Sequence, residues 1–322
     1  MKLMPYYGGK SIHAPEVWKR FGKTTHYIEP FCGELSVLFA CQHETYHKYV
    51  NDKDFFLVNF WRAVKLAPDE LFEQMDMPII ETDIYLMHDW LLKEGPSRLK
   101  PIETDLNFYD IKVAAWWIFG MCCSLGGGNK WCEANGAWKI ENGVWVKGKP
   151  GLDRSKPSGA RGYLSRSVPR NKKQEMVREI AKKLKDVTIL SGDWKRVLSG
   201  YFIPTDNVAI FFDPPYEGYE AVYAADSKDS VQSNADTDHD IVPVTKTSIA
   251  SEVRAWAIDK PYKMAICGFG DEHKELEQYG WDVYCWVANG GYANQSGNSR
   301  RHDEKIWFSP ACLKPSKQLS LF

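Results

Sequence analysis

At 322 residues, with 44% hydrophobic residues, 13 Trp and a formal net charge of -1, the chain can build one large domain or two smaller ones around a real core. That charge argues neither for nor against a nucleic-acid partner, so the distribution of charge has to decide. The eight Cys form no Cys-x-x-Cys pair, no His cluster has zinc spacing, no apolar run is long enough to span a membrane, and Met1-Lys2-Leu3-Met4-Pro5-Tyr6 is no signal peptide; reduced thiols, no metal and a cytoplasmic location are expected.

In chain order, Tyr6-Tyr7-Gly8-Gly9-Lys10 first offers rings, a flexible turn and a cation. Tyr27-Ile28 and Tyr49-Val50 read as short strands, with a helix expected over 34–41 between them. A second helix begins near Asp54, with Leu57, Trp61 and Val64 on one face. This β-α-β-α order implies a parallel sheet. Glu29-Pro30-Phe31-Cys32-Gly33 ends the first strand just before a helix, where a glycine lets a cofactor approach the backbone. About twenty residues on, Asp52 follows the second strand, either to hold ribose hydroxyls or to cap the next helix.

Residues 68–109 read as mostly helical. After Trp116-Trp117 the composition changes to a Gly-, Trp- and cation-rich stretch running to about Lys173, in which Glu133, Glu141 and Asp153 are the acids. A helix with Met176, Val177, Ile180 and Leu184 as its apolar face follows, then a strand at 187–190 ending in Gly192-Asp193-Trp194. Val208 to Phe212 reads as a strand buried on both faces of a parallel sheet. Asp213-Pro214-Pro215-Tyr216 stops it, because proline fixes the backbone and cannot donate to the ladder. A stiff acceptor beside a flat ring, at the carboxyl end of a strand, suits gripping the amino group of a planar base. The acidic stretch 217–240 reads as a loop, a helix is expected at 247–258, and strands at 264–266, 283–287 and 305–308 complete the sheet.

Together these motifs resemble the DNA adenine methyltransferase family, especially its phage-type members, over residues 5–313. The resemblance is carried by Tyr-Tyr-Gly-Gly-Lys (6–10), Ile-Glu-Pro-Phe-Cys-Gly (28–33), Asn-Asp (51–52), Gly-Asp-Trp (192–194) and Asp-Pro-Pro-Tyr (213–216). Gly290-Gly291-Tyr292 and Ile306-Trp307-Phe308-Ser309-Pro310 look like the C-terminal part of phage-type enzymes, and the motif order is that of the alpha group. The resemblance implies an α/β fold: a Rossmann-like S-adenosylmethionine-dependent methyltransferase sheet with an inserted, mainly helical or irregular target-recognition domain. Residues 1–58 and 186–313 would be catalytic, 59–185 the insertion and 314–322 a tail. Lys10, Phe31, Gly33, Asp52 and Asp193 would line an S-adenosylmethionine pocket, with Tyr7, Glu29, Cys32 and Trp194 as further cofactor candidates. Lys10 would reach the cofactor carboxylate, Asp52 the ribose and Asp193 the adenine amine. Where the family often has a second glycine the chain has Leu35, which puts close backbone approach there in doubt.

The implied substrate is an adenine in double-stranded DNA, flipped out of the duplex. Asp213, Pro214, Pro215 and Tyr216 would be catalytic, with Asp213 and the Pro214 carbonyl gripping the amine and Tyr216 stacking on the base. Lys130, Lys139, Arg154, Arg161, Arg166 and Arg170 are candidate DNA contacts in the basic stretch, arginine being the usual bidentate reader of guanine. The last residues, Gln318, Leu319, Ser320, Leu321 and Phe322, closely resemble the bacterial sliding-clamp-binding motif, which implies work in bacterial cytoplasm, at the nucleoid. A cytosine-N4 methyltransferase, or a catalytically silent DNA-binding clamp partner, are the alternatives at this point.

Overall fold

The computed structural model describes residues 3–4, 9–123, 139–141, 144–146, 168–204, 207–216, 248–286 and 304–314. It has a mixed α/β architecture with a seven-stranded main sheet. The chain forms two compact units: Met1–Phe211 with Cys312–Phe322, and Phe212–Ala311.

In the first unit, β1 (His26–Glu29), β2 (His47–Asp52), β5 (Val187–Ser191) and β6 (Val208–Phe212) lie in the order β5-β2-β1-β6, all parallel. Ile28 sits beside Tyr49 on one side and Ile210 on the other, and Val50 beside Ile189. All five residues of β6 are buried, the pattern of a strand covered on both faces. Crossover helices make the parallel pairing possible. After α1 (Ala14–Phe21) and the short α2 (Ser36–Phe39), α3 (Phe55–Leu66) packs on β2 and β5. Asp54 starts α3 by accepting from the Phe56 and Leu57 amides at 2.8 and 3.3 Å, an N-cap worth about 1 kcal/mol. The cap is therefore Asp54, which frees Asp52 for another task.

The expected helix over 34–41 is only the four residues of α2, because Gly33 and Leu35 both adopt left-handed backbone just ahead of it. The helical stretch after α3 resolves into α4 (Pro68–Met75), α5 (Glu81–Leu99) and α6 (Ile111–Cys123), and α7 (Arg170–Leu184) follows as expected. α6 is apolar nearly all round and packs against α3, α4 and α5. A small antiparallel hairpin, β3 (Lys139–Glu141) and β4 (Val144–Val146), lies in the basic stretch. Arg62 is buried and donates to the Ile189, Ile102 and Asp105 carbonyls, tying α3 to β5 and to the turn after α5. Burial lowers its guanidinium to about 10, so these carbonyls must satisfy the donors that water no longer reaches.

In the second unit, α8 (Ile249–Ala257) starts at a Ser248 cap, and β7 (Lys263–Phe269), β9 (Glu304–Phe308) and β8 (Asp282–Cys285) pair antiparallel in the order β7-β9-β8. Phe212, Trp307 and Phe308 are buried, and the Phe212 ring meets Trp256 of α8 at 5.9 Å.

Candidate active site

The carboxyl ends of β1, β2 and β5 are knitted together by the two residues that end β2. The Asn51 carbonyl accepts from the Cys32 amide at 2.9 Å, and the Asp52 carbonyl accepts from the Gly192 amide at 2.9 Å. The Asn51 side-chain amide donates to the Pro30 carbonyl at 3.1 Å and to the Gly192 carbonyl at 3.0 Å. The Asp52 carboxylate accepts from the Gly33 amide at 3.2 Å and from the Asp54 amide at 3.0 Å. Burial raises the Asp52 carboxyl above its ordinary range, and these backbone donors oppose the rise. On the loops so held, the Phe31 and Trp194 rings lie 6.1 Å apart and 31° from parallel. Asp193 is exposed and caps the short 3-10 turn Trp194–Leu198 by accepting from the Lys195 amide at 2.9 Å.

Residues up to 163 positions apart in sequence thus meet at three strand ends, and Phe31, Gly33, Asp52, Asp193 and Trp194 share one edge. The sequence reading named Asn-Asp as a motif but gave only Asp52 a task. A polar amide directly after the buried Val50, near the end of β2, was the signal available for Asn51.

Glu29 and Lys10 are both buried. Lys10 also starts α1, its carbonyl accepting from the His13 and Ala14 amides at 2.9 and 2.8 Å. A side chain at Gly9 would collide with the Glu34 carboxylate, so glycine is what lets this segment lie against the turn after β1. Cys32 is buried, and its thiol is pushed well up by burial and by the carboxylates of Asp52, Glu29 and Asp54; it is a packed, protonated group rather than a nucleophile. Gly33 has φ 45° and Leu35 φ 57°. The tight turn therefore persists where the family's second glycine is replaced, with the buried Leu35 side chain offsetting a backbone cost of about 1–2 kcal/mol. Tyr6, Tyr7 and Gly8 lie outside the described residues.

In the second unit, Asp213 follows directly on β6. It is half-buried, Pro214 is buried and Tyr216 is 5% exposed. The Tyr216 hydroxyl donates to the Asp213 carboxylate at 3.4 Å, and its ring lies 6.3 Å from Phe269 of β7. The two prolines fix the chain between acceptor and ring.

Residues 6–100 match the family model of D12 class N6 adenine-specific DNA methyltransferases. The chain carries a D12 class domain. That match indicates an adenine-specific DNA methyltransferase and favours adenine over the cytosine-N4 alternative. The matched segment contains Tyr-Tyr-Gly-Gly-Lys, the loop after β1 and Asn51-Asp52, whereas Gly192-Asp193-Trp194 and Asp213-Pro214-Pro215-Tyr216 lie beyond it. No curated protein matches the chain.

Of the expected DNA contacts, Arg170 opens α7 and pairs with Glu73 and Asp76, its guanidinium 5.2 Å from the Phe72 ring. A phosphate or base must compete with those two carboxylates for it. Lys139 lies in β3, and Lys130, Arg154, Arg161 and Arg166 lie outside the described residues, as do residues 217–247 and 318–322. No helix among the described residues is long and apolar enough to cross a membrane, and none of their side chains form a group that could hold a metal.

Proposed function

We propose that this chain transfers a methyl group from S-adenosylmethionine to N6 of an adenine flipped out of double-stranded DNA. The observation that carries the reading is Asp213-Pro214-Pro215-Tyr216 at the end of the fully buried β6, with acceptor and ring linked through two prolines. The cofactor fits the strand ends of the first unit by donor-acceptor chemistry. Adenosine presents hydroxyl and amine donors. The strand ends offer the Asp52 and Asp193 carboxylates and two rings. Asp52 would hold the ribose, Asp193 the adenine amine, and Lys10 the carboxylate. When bound, S-adenosylmethionine supplies an electrophilic methyl group on a sulfonium.

The target amine is a poor nucleophile because its lone pair is delocalised into the ring. Asp213 and the Pro214 carbonyl both accept its N–H bonds, which favours a tetrahedral nitrogen and frees the lone pair. Acceptors fixed where positive charge develops stabilise the transition state without reorganising, and the charged one counts most. Flipping costs a few kcal/mol, and stacking on Tyr216, at about 1–3 kcal/mol, offsets part of it. Tyr216 is nearly buried, so in this reading an arriving base must uncover it.

Residues 59–185 are read as the target-recognition insertion, with the basic stretch gripping phosphates and reading bases. The last five residues are read as a sliding-clamp tether, whose removal should abolish capture of the chain by the clamp. The decisive experiment incubates the purified chain with duplex DNA and labelled S-adenosylmethionine, then digests the DNA to nucleosides. N6-methyladenine is expected. Label in any other nucleoside, or in none, overturns the reading.

A further inference from the structure

One of the two residues that tie the loops after β1 and β5 together is Asn51. It is 1% exposed and belongs to β2, the strand between β5 and β1. Its side-chain amide reaches both ways, to Pro30 on the loop after β1 and to Gly192 on the loop after β5. Both partners are carbonyls, so only the amide nitrogen can serve them, and its two hydrogens are used one on each side. The first loop carries Phe31 and Gly33, and the second carries Asp193 and Trp194.

We infer that Asn51 is a positioning residue for the cofactor: its forked donation sets the spacing of the two loops and so of the Phe31 and Trp194 rings. This rests on the reading of those strand ends as the S-adenosylmethionine pocket and deepens it. Hydrogen bonds buried in low dielectric are costly to lose, because each abandoned carbonyl keeps its desolvation penalty. A carboxamide is well suited to the place. Aspartate has the same shape and no donors, serine has one, and leucine none.

The test measures KM for S-adenosylmethionine, KM for DNA and kcat in Asn51→Leu and Asn51→Ser, with calorimetric binding of S-adenosylhomocysteine and thermal melting as companions. Asn51→Leu should raise the cofactor KM and the S-adenosylhomocysteine Kd about tenfold, leaving the DNA KM and the kcat at saturating cofactor within about threefold. Asn51→Ser, which keeps one donor, should fall between the wild type and leucine. If Asn51→Leu does not melt cooperatively, Asn51→Ser decides alone. Unchanged cofactor affinity in a folded variant overturns the inference, as do equal rises in both KM values. A wild-type chain that takes up no S-adenosylhomocysteine overturns the pocket itself, and the inference with it.

Discussion

Beyond β1, β2 and β5 the backbone is held by hydrogen bonds that cross between loops, from Asn51 to Pro30 and Gly192 and from Gly33 to Asp52. Beyond β6 two consecutive prolines do the equivalent work covalently, between Asp213 and a tyrosine that bonds back to it at 3.4 Å. A network can be loosened by losing one donor, whereas a proline-stiffened turn keeps its course when a side chain is changed. Substitutions in the first region should therefore act on cofactor affinity. Substitutions in the second should act on the chemical step.

The largest separation is expected from Asp213→Ala. Removing a charged acceptor from the site of developing charge should lower kcat on the order of 100- to 1,000-fold, while calorimetric affinity for S-adenosylhomocysteine stays within about twofold of the wild type. Full activity in that variant would sink the role given to Asp213. The mirror-image change is Asp52→Ala. It deprives the Gly33 and Asp54 amides of their acceptor, and should weaken S-adenosylhomocysteine about 10- to 100-fold with DNA affinity unmoved. A loss of DNA affinity of the same size would erase the distinction between the two regions.

Much of this was legible in the sequence where one residue type can do only one thing. The run Val208 to Phe212 had to be a doubly buried strand, and the prolines had to end it. Asp54 ahead of Leu57, Trp61 and Val64 announced α3, and the apolar spacing of Val177, Ile180 and Leu184 announced α7. What stayed hidden depends on contacts between distant segments. Whether Asp52 or Asp54 capped α3 could not be read from two acids two residues apart; the Phe56 and Leu57 amides donate to Asp54, and the Gly33 amide, nineteen residues away, donates to Asp52. Arg170 looked like one more cation in a basic stretch, because Glu73 and Asp76 lie far back in the chain. The shortening of the helix after Gly33 came from a leucine in left-handed backbone, which propensity disfavours and burial overrides.

A test of the second unit alone uses His273, which is fully buried against Trp307. Its Nε2 faces the Cys267 carbonyl at 3.2 Å, with the Glu272 carboxylate at 3.9 Å, and its Nδ1 faces Arg254 at 3.5 Å. A carbonyl can only accept, so Nε2 carries the proton and Nδ1 accepts from Arg254. Burial, and then Arg254, lowers the imidazole from its ordinary 6.5 to about 4. The unfolded chain therefore binds the proton first as pH falls. The stability contribution is complete above about 6.5 and is lost progressively toward 4. Between pH 6.5 and 5 the loss should be on the order of 2 kcal/mol, read as the difference between the wild type and His273→Gln in urea melts at the two pH values. Glutamine keeps a donor for Cys267 and does not titrate, so equal pH slopes in the two proteins would exclude His273 as the source.

The smallest expected effect bears on the first unit's turn. Gly33 and Leu35 share left-handed backbone at φ 45° and 57°, yet only one of them is glycine. Leu35 demonstrates that this turn tolerates a side chain when the side chain is buried. If Gly33 serves the turn alone, Gly33→Ala should cost about 1 kcal/mol of stability and raise the S-adenosylhomocysteine Kd by less than about threefold. If the bound cofactor packs against the Gly33 backbone, the new methyl group stands in its way, and affinity should fall much further than stability. Paired melting and calorimetry on this one variant therefore separate a glycine needed for its backbone angle from a glycine needed for the space in front of it. The turn geometry common to Leu35 favours the first.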